Sequence, residues 1–190
     1  MSVIHRTTLT PTKLELLAEW LPGQPWYRGT ASRPAKAGGF RLDDPENVVG
    51  IEFMVVADGD TTYHVPMTYR SQPVADQPLI GVAEHGVLGR RFVYDGAHDP
   101  VLVRTLVALF NGAARPQMQS VNDTVDETVT ATGGRIEPTS FAVTANTAAG
   151  TDLRLRPDLV LRIRRCLADP LPPHVGAVTS QETPLILLLA

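Results

Sequence analysis

Cysteine is nearly absent from this chain of 190 residues. The single Cys166 excludes an internal disulfide, and no second Cys or His lies near it at metal-ligand spacing, so it reads as a buried thiol. No uninterrupted apolar stretch approaches the roughly 20 residues a membrane-spanning helix needs, which argues against a bilayer span. The opening Met1-Ser2-Val3-Ile4-His5-Arg6-Thr7-Thr8 lacks the basic patch, apolar run and small-residue cleavage site of an export signal, and a cytoplasmic location is expected. Positive charge is not in excess either. A net charge of -3 argues against general nucleic-acid binding, which relies on a basic surface to displace counterions. Internal repeats and low-complexity tracts are missing.

What is present is the composition of a globular protein. Hydrophobic residues make up 43% of the chain, enough for one substantial domain or two small ones sharing a core. Thr10 and Pro11 predict a helix start, because Thr caps free backbone amides and Pro fits the first helical position. Leu14, Leu17 and Leu21 then share a face widened by Leu16 and Trp20, and Pro22-Gly23 ends the helix before Trp26-Tyr27. Arg28 to Asn47, rich in Gly, Pro and charge, reads as a long surface loop. Gly50 to Ala57 reads as a strand and Asp58-Gly59-Asp60 as a turn. Thr61 to Tyr69 returns with Tyr63, Val65, Met67 and Tyr69 on one face. Pro66 cannot donate to a ladder, so this second strand is expected at an edge or at a bulge. Leu79 to Glu84 and Val87 to Tyr94 pair around His85-Gly86. Asp99-Pro100 opens a second helix, with Val103, Leu106, Val107 and Phe110 as its apolar face and Gly112 at its end.

Beyond Gly112 the composition turns polar and irregular, and a boundary is expected near residues 115–125, dividing the chain into 1–118 and 119–190. The later strand candidates are Glu127 to Thr132, Ser140 to Thr144, Leu159 to Leu167, His174 to Thr179 and Leu185 to Leu189. Alternation through Arg154, Arg156, Arg162 and Arg164 sets several cations on one sheet face, with Arg165 beside them. Either a solvated face balanced by Asp152, Asp158 and Asp169 or an anion-binding surface follows.

Three phrases carry a family resemblance: Leu14-Glu15-Leu16-Leu17-Ala18-Glu19-Trp20-Leu21-Pro22-Gly23-Gln24-Pro25-Trp26-Tyr27, then Tyr63-His64-Val65-Pro66-Met67-Thr68-Tyr69-Arg70, then Tyr94-Asp95-Gly96-Ala97-His98-Asp99-Pro100. In this order they resemble the N-terminal cap of bacterial maltokinases, over roughly residues 14–112. That family joins the cap to a eukaryotic-like kinase core and uses ATP and Mg2+ to phosphorylate maltose at its anomeric position, with relatives acting on other sugars such as glucosamine. The resemblance implies an α+β fold: a curved antiparallel sheet packed by two helices, similar in topology to cystatins, followed by further strands like those of a kinase N-lobe. Leu159-Val160-Leu161-Arg162-Ile163-Arg164-Arg165-Cys166-Leu167 looks like the family strand that carries the ATP-phosphate lysine, with Arg162 at the lysine position. Arg is not an equivalent of Lys there, since a planar fork differs from a compact ammonium. Related caps write basic residues after Gln24 and Gly29, where this chain has Pro25 and Thr30. Neither a catalytic-loop His-x-Asp with a downstream Asn nor an Asp-Phe-Gly is found, and phosphoryl transfer needs such groups.

The candidate site residues are therefore few. Arg162 and Arg164 are candidates for anion or nucleotide binding, and Trp26 and Tyr27 for contact with a sugar or a partner. Trp20, Tyr63 and Tyr69 read as core. Asp95, His98 and Asp99 suggest a cluster, but Asp99 is placed to cap a helix and Asp95-Gly96 has turn chemistry, so their expected role is structural. His5, His64, His85 and His174 are scattered, and no metal site is expected. The glycine pairs Gly38-Gly39 and Gly133-Gly134 lack the strand-to-helix context of a phosphate loop. The leading expectation is a non-catalytic accessory or regulatory module linked to maltose, trehalose and glucan metabolism, without a cofactor. The alternative is a sugar-kinase component that works with ATP and Mg2+ only beside a separate catalytic chain. The apolar Leu185 to Leu189 needs cover, from its own fold or from a protein partner or second copy in a homodimer.

Overall fold

The computed structural model describes residues 9–29, 33–119 and 124–190. Met1 to Thr8, with His5, as well as Thr30 and residues 120–123 within the expected boundary, lie outside the described residues.

The architecture is α+β. One antiparallel sheet runs in the order β1 (Leu9–Thr10), β5 (Leu79–His85), β6 (Gly89–Asp95), β4 (Thr61–Arg70), β3 (Gly50–Asp58), β2 (Ala35–Asp43) and β7 (Gln117–Met118). A second antiparallel sheet runs β8 (Val129–Ala131), β12 (Gly176–Ser180), β13 (Thr183–Leu189), β11 (Leu159–Ile163), β10 (Gly150–Arg156) and β9 (Ala142–Thr147).

Side chains alternate across the first sheet, and each face buries against a different helix. Met54 and Val56 of β3 with Tyr63, Val65 and Met67 of β4 meet Leu16, Leu17 and Leu21 from helix α1 (Lys13–Trp20) and the turn after it. Phe40, Leu42, Ile51 and Phe53 point the other way, onto Leu102, Leu106 and Phe110 of helix α2 (Pro100–Phe110) and onto Leu153, Leu161, Ile163, Ile186 and Leu188 of the second sheet. The expected division at 118/119 thus falls between two sheets that share one apolar core.

The α2 start is as the sequence predicts, since the Asp99 side chain accepts from the Val101 N–H and Pro100 opens the helix. The α1 start is a correction. Its cap is Thr12, not Thr10, and Glu15 three residues on returns a bond to the Thr12 amide at 2.7 Å. This reciprocal capping box satisfies two amides at once, which Thr10-Pro11 does not match.

Three further corrections concern strands. The expected loop Arg28 to Asn47 contains β2, and a bulge between Lys36 and Gly38 breaks the alternation there. Gly39 sits at φ +125, and a Cβ on it would lie 2.1 Å from the Phe53 carbonyl oxygen, so this glycine serves close strand packing. Pro66 lies inside the sheet rather than at its edge. On one flank of β4, residues Met67 to Arg70 pair with β6, while the amide of His64 donates to Arg165 O and the amide of Leu167 to Thr62 O. Alternation turns the Pro66 nitrogen to this flank, in the gap between the two partners, where a missing N–H removes no ladder bond. The third correction is β10, absent from the candidates and central to pairing β11 with β9.

The strand β13 is paired on both sides, and Leu185, Ile186, Leu187 and Leu188 are fully buried. Its cover comes from its own chain.

Candidate functional site

Where β11 ends, the segment Arg164 to Leu167 leaves the second sheet and lies against β4 of the first. This crossing places the tail arginines. Arg162, on β11 opposite Asp152 of β10, grips that carboxylate with two bonds, Nε to Oδ1 at 2.6 Å and Nη2 to Oδ2 at 2.7 Å. Arg164 donates to three backbone carbonyls, Pro184 at 2.6 Å, Leu167 at 2.9 Å and Asp169 at 2.7 Å, and burial lowers its pKa from the ordinary arginine value. The two candidates line one open cleft of about 380 Å3 with Cys166 and Asp169. Both guanidinium groups already hold oxygen partners, and the Asp152 carboxylate takes the Nε and Nη2 donors of Arg162.

Arg165 points inward instead. It is fully buried, holds the Asp95 carboxylate through Nη2, donates Nε to the Thr151 hydroxyl at 2.8 Å and lies 5.2 Å from the Trp26 ring centroid. Trp26 is 1% exposed and packs against Trp20 and Tyr63, so its ring presents no free face to a sugar. Tyr27 is half-buried, packs at a tilt against Tyr63 with ring centroids 5.5 Å apart and donates to Asp58 at 2.9 Å. Next to it Arg28 reaches across to Asp169 in an ion pair that ties the first sheet's loop to the tail. Arg162 and Arg164 therefore share a cleft, whereas Trp26 and Tyr27 belong to the packing beneath the first sheet.

The Asp95, His98 and Asp99 group does structural work. Asp95 accepts from the Ala97 N–H as well as pairing with Arg165. Asp99 is held by Arg70 at 2.8 Å on each oxygen. Burial would raise its pKa, but the bonds from Arg70 and the Val101 N–H outweigh that and hold the carboxyl below its usual range. Burial lowers the His98 pKa against the pull of Asp95. Among the described residues no three His, Cys, Asp or Glu side chains gather as a metal site, and no helix is long and apolar enough to cross a membrane.

Sequence reading missed two polar features. Glu52, 4% exposed, takes Lys13 Nζ at 2.6 Å, the Tyr69 hydroxyl at 2.7 Å and the Gln119 amide at 3.0 Å. Burial, reinforced by Glu52, pushes the Tyr69 pKa well up, so the phenol stays a donor. A lone carboxylate in the apolar run Ile51 to Ala57 is the sequence signal for this network. His64 is the other feature: it is fully buried, stacked on Phe53 and bonded through Nδ1 to the Arg164 carbonyl at 3.1 Å. A carbonyl accepts, so Nδ1 carries the proton. Burial and the neighbouring Arg165 charge press its pKa down to about 3. It is neutral at physiological pH.

Comparison with known proteins agrees with the phrases in the sequence. Residues 20–99 match the family model described as the maltokinase N-terminal cap domain. No curated protein matches the chain.

Proposed function

From a chain that carries a maltokinase N-terminal cap domain over residues 20–99, we propose a non-catalytic accessory or regulatory role in maltose, trehalose and glucan metabolism, exercised through binding. The family model speaks for the metabolic setting. The observation that carries the non-catalytic part is the Arg162–Asp152 pair. Arg162, which the resemblance of the tail strand sets at the family's phosphate-lysine position, spends Nε and Nη2 on Asp152 at 2.6 and 2.7 Å. Releasing it for a phosphate would leave a partly buried Asp152 without its partner.

Isothermal calorimetry of the purified chain with ATP and Mg2+ tests this role. The expected result is no saturable heat. Saturable binding that disappears in Arg162→Ala would overturn it and favour the second reading, a kinase component completed by a separate catalytic chain. That second reading draws on the cleft that Arg162 and Arg164 share.

A further inference from the structure

A second cleft, of about 370 Å3, opens between the two sheets at the end where β3 turns into β4. Register decides which side chains face it. The side of the first sheet that carries Phe40 and Phe53 into the shared core also carries Gly38, Val55 and Thr62, and these line the cleft. On the second sheet Ser180 follows two residues after the core residue Val178, pairs with Val129 and Thr183, and lines the cleft from the opposite side. The cleft is thus the unfilled end of the space that apolar side chains occupy elsewhere. Its volume lies within the range of about 300–1,000 Å3 found for small-molecule sites.

The polar side chains of this cleft are unspent. The hydroxyls of Thr62, Ser180 and Thr183, the Gln181 amide and the Asp60 carboxylate line it, and none has a hydrogen-bond or ion-pair partner among the described residues. Ser180 lies deepest, at 7% exposure, yet its Oγ is not closed off from solvent. A hydroxyl carried that far inside and left open on a cleft serves what the cleft holds.

The hairpin that brings Ser180 and Thr183 there is strained. Its turn residues, Gln181 at φ 47 and Glu182 at φ 65, hold the left-handed conformation of a two-residue hairpin, where Asn-Gly is favoured. Neither is glycine, and each costs about 1–2 kcal/mol. Strain of this kind collects at ligand clamps. Here it sets Gln181 opposite β2, with Oε1 3.9 Å from where a Cβ on Gly38 would stand.

The lining selects the ligand. Hydroxyls and an amide both donate and accept, and Asp60 accepts. Among the described residues no Lys, Arg or His lines the cleft, so an anion would meet Asp60 with no cation to answer it. A bare cation would use Asp60 and leave the hydrogens of the neutral groups unspent. Val55 and Leu185 add apolar surface for C–H groups.

We propose that this cleft binds a small neutral polyhydroxylated molecule, its hydroxyls toward Thr62, Ser180, Gln181 and Thr183 and its C–H groups toward Val55 and Leu185. The inference rests on the binding role proposed above and gives it a ligand class. Its test contains no nucleotide, so its failure is told apart from a failure of the Arg162 account.

Calorimetry on the whole chain tests the proposal, with glucose, maltose and sorbitol as neutral probes and inorganic phosphate and methylammonium as charged ones. At least one neutral probe should bind saturably, and at least about tenfold more tightly than either ion. Ser180→Ala should weaken that probe at least about fivefold without lowering the thermal midpoint, since the hydroxyl holds nothing within the chain. Gly38→Val fills the cleft from a position where a Cβ meets nothing nearer than 3.9 Å, and it should abolish binding. Thr183→Val serves in its place if Gly38→Val does not fold, and should weaken binding as Ser180→Ala does. No saturable heat from any neutral probe would overturn the proposal, as would equal or tighter binding of either ion. So would a Ser180→Ala variant that binds as the parent does, or one that melts lower, the mark of a hydroxyl bonded within the chain.

Discussion

Arg165 holds Asp95 where the two sheets meet, and both side chains are almost wholly buried, at 0% and 2% exposure. The carboxylate comes from the end of β6 and the guanidinium from the segment leaving β11, so this pair fastens the second sheet to the first. Removing one partner from such a pair leaves an uncompensated charge in a low-dielectric interior. Asp95→Ala is expected to destabilise the chain by about 3–5 kcal/mol. Urea unfolding checks it, and a midpoint shift of that size without a change in slope is the expected outcome.

Buried His64 makes stability depend on pH. Its pKa is about 3 in the folded chain against an ordinary 6.5. Between those values the unfolded chain binds a proton that the folded one does not, so stability is full above about pH 6.5 and falls as the pH drops. From pH 6.5 to 5 the loss from this group is about 2 kcal/mol. His98 shifts in the same direction and adds to it. Unfolding measured at pH 7 and pH 5 should show that His64→Phe loses about 2 kcal/mol less than the parent between the two.

Arg162 and Asp152 are each about one-fifth exposed. Their pair is bidentate but partly screened, so Arg162→Ala is expected to cost about 1 kcal/mol of stability. Asp152→Ala should cost about the same. A double variant that loses less than the sum of the two would show the pairing in solution, with thermal melts as the readout.

Gly39 holds a backbone conformation that side chains rarely adopt, and a Cβ there meets the Phe53 carbonyl oxygen. Gly39→Ala is expected to lower stability by at least about 2 kcal/mol, because strain and overlap add. Gly59→Ala, in open space at φ +59, should cost only about 1 kcal/mol. Comparing the two melts separates close approach from conformational strain.

Elements with a strong local signal were legible in the sequence. The β3–β4 hairpin has its Asp58-Gly59-Asp60 turn and clean alternation, and α2 has a capping Asp99 followed by Pro100. β2 was not legible, since its bulge and Gly38-Gly39 erase the period of two. Pro66 pointed to an edge because the partner that fills the flank beside it, Arg164 to Leu167, comes from about 100 residues further along the chain. β10 alternates Leu153 and Leu155 with Arg154 and Arg156, and charge density masked a readable strand. The candidate arginines were legible as types but not as partners. Whether Arg162 meets solvent or Asp152 depends on the β10–β11 register, and Arg165 turns inward only because β11 breaks off at the junction. Local sequence carries neither fact.

The most direct test of the central claim is turnover. Purified chain is incubated with ATP, Mg2+ and maltose or glucosamine, and ADP release is followed by a coupled assay. The account predicts release no faster than without sugar, in the parent and in Arg162→Ala alike. Sugar-dependent ADP release that Arg162→Ala abolishes would contradict it.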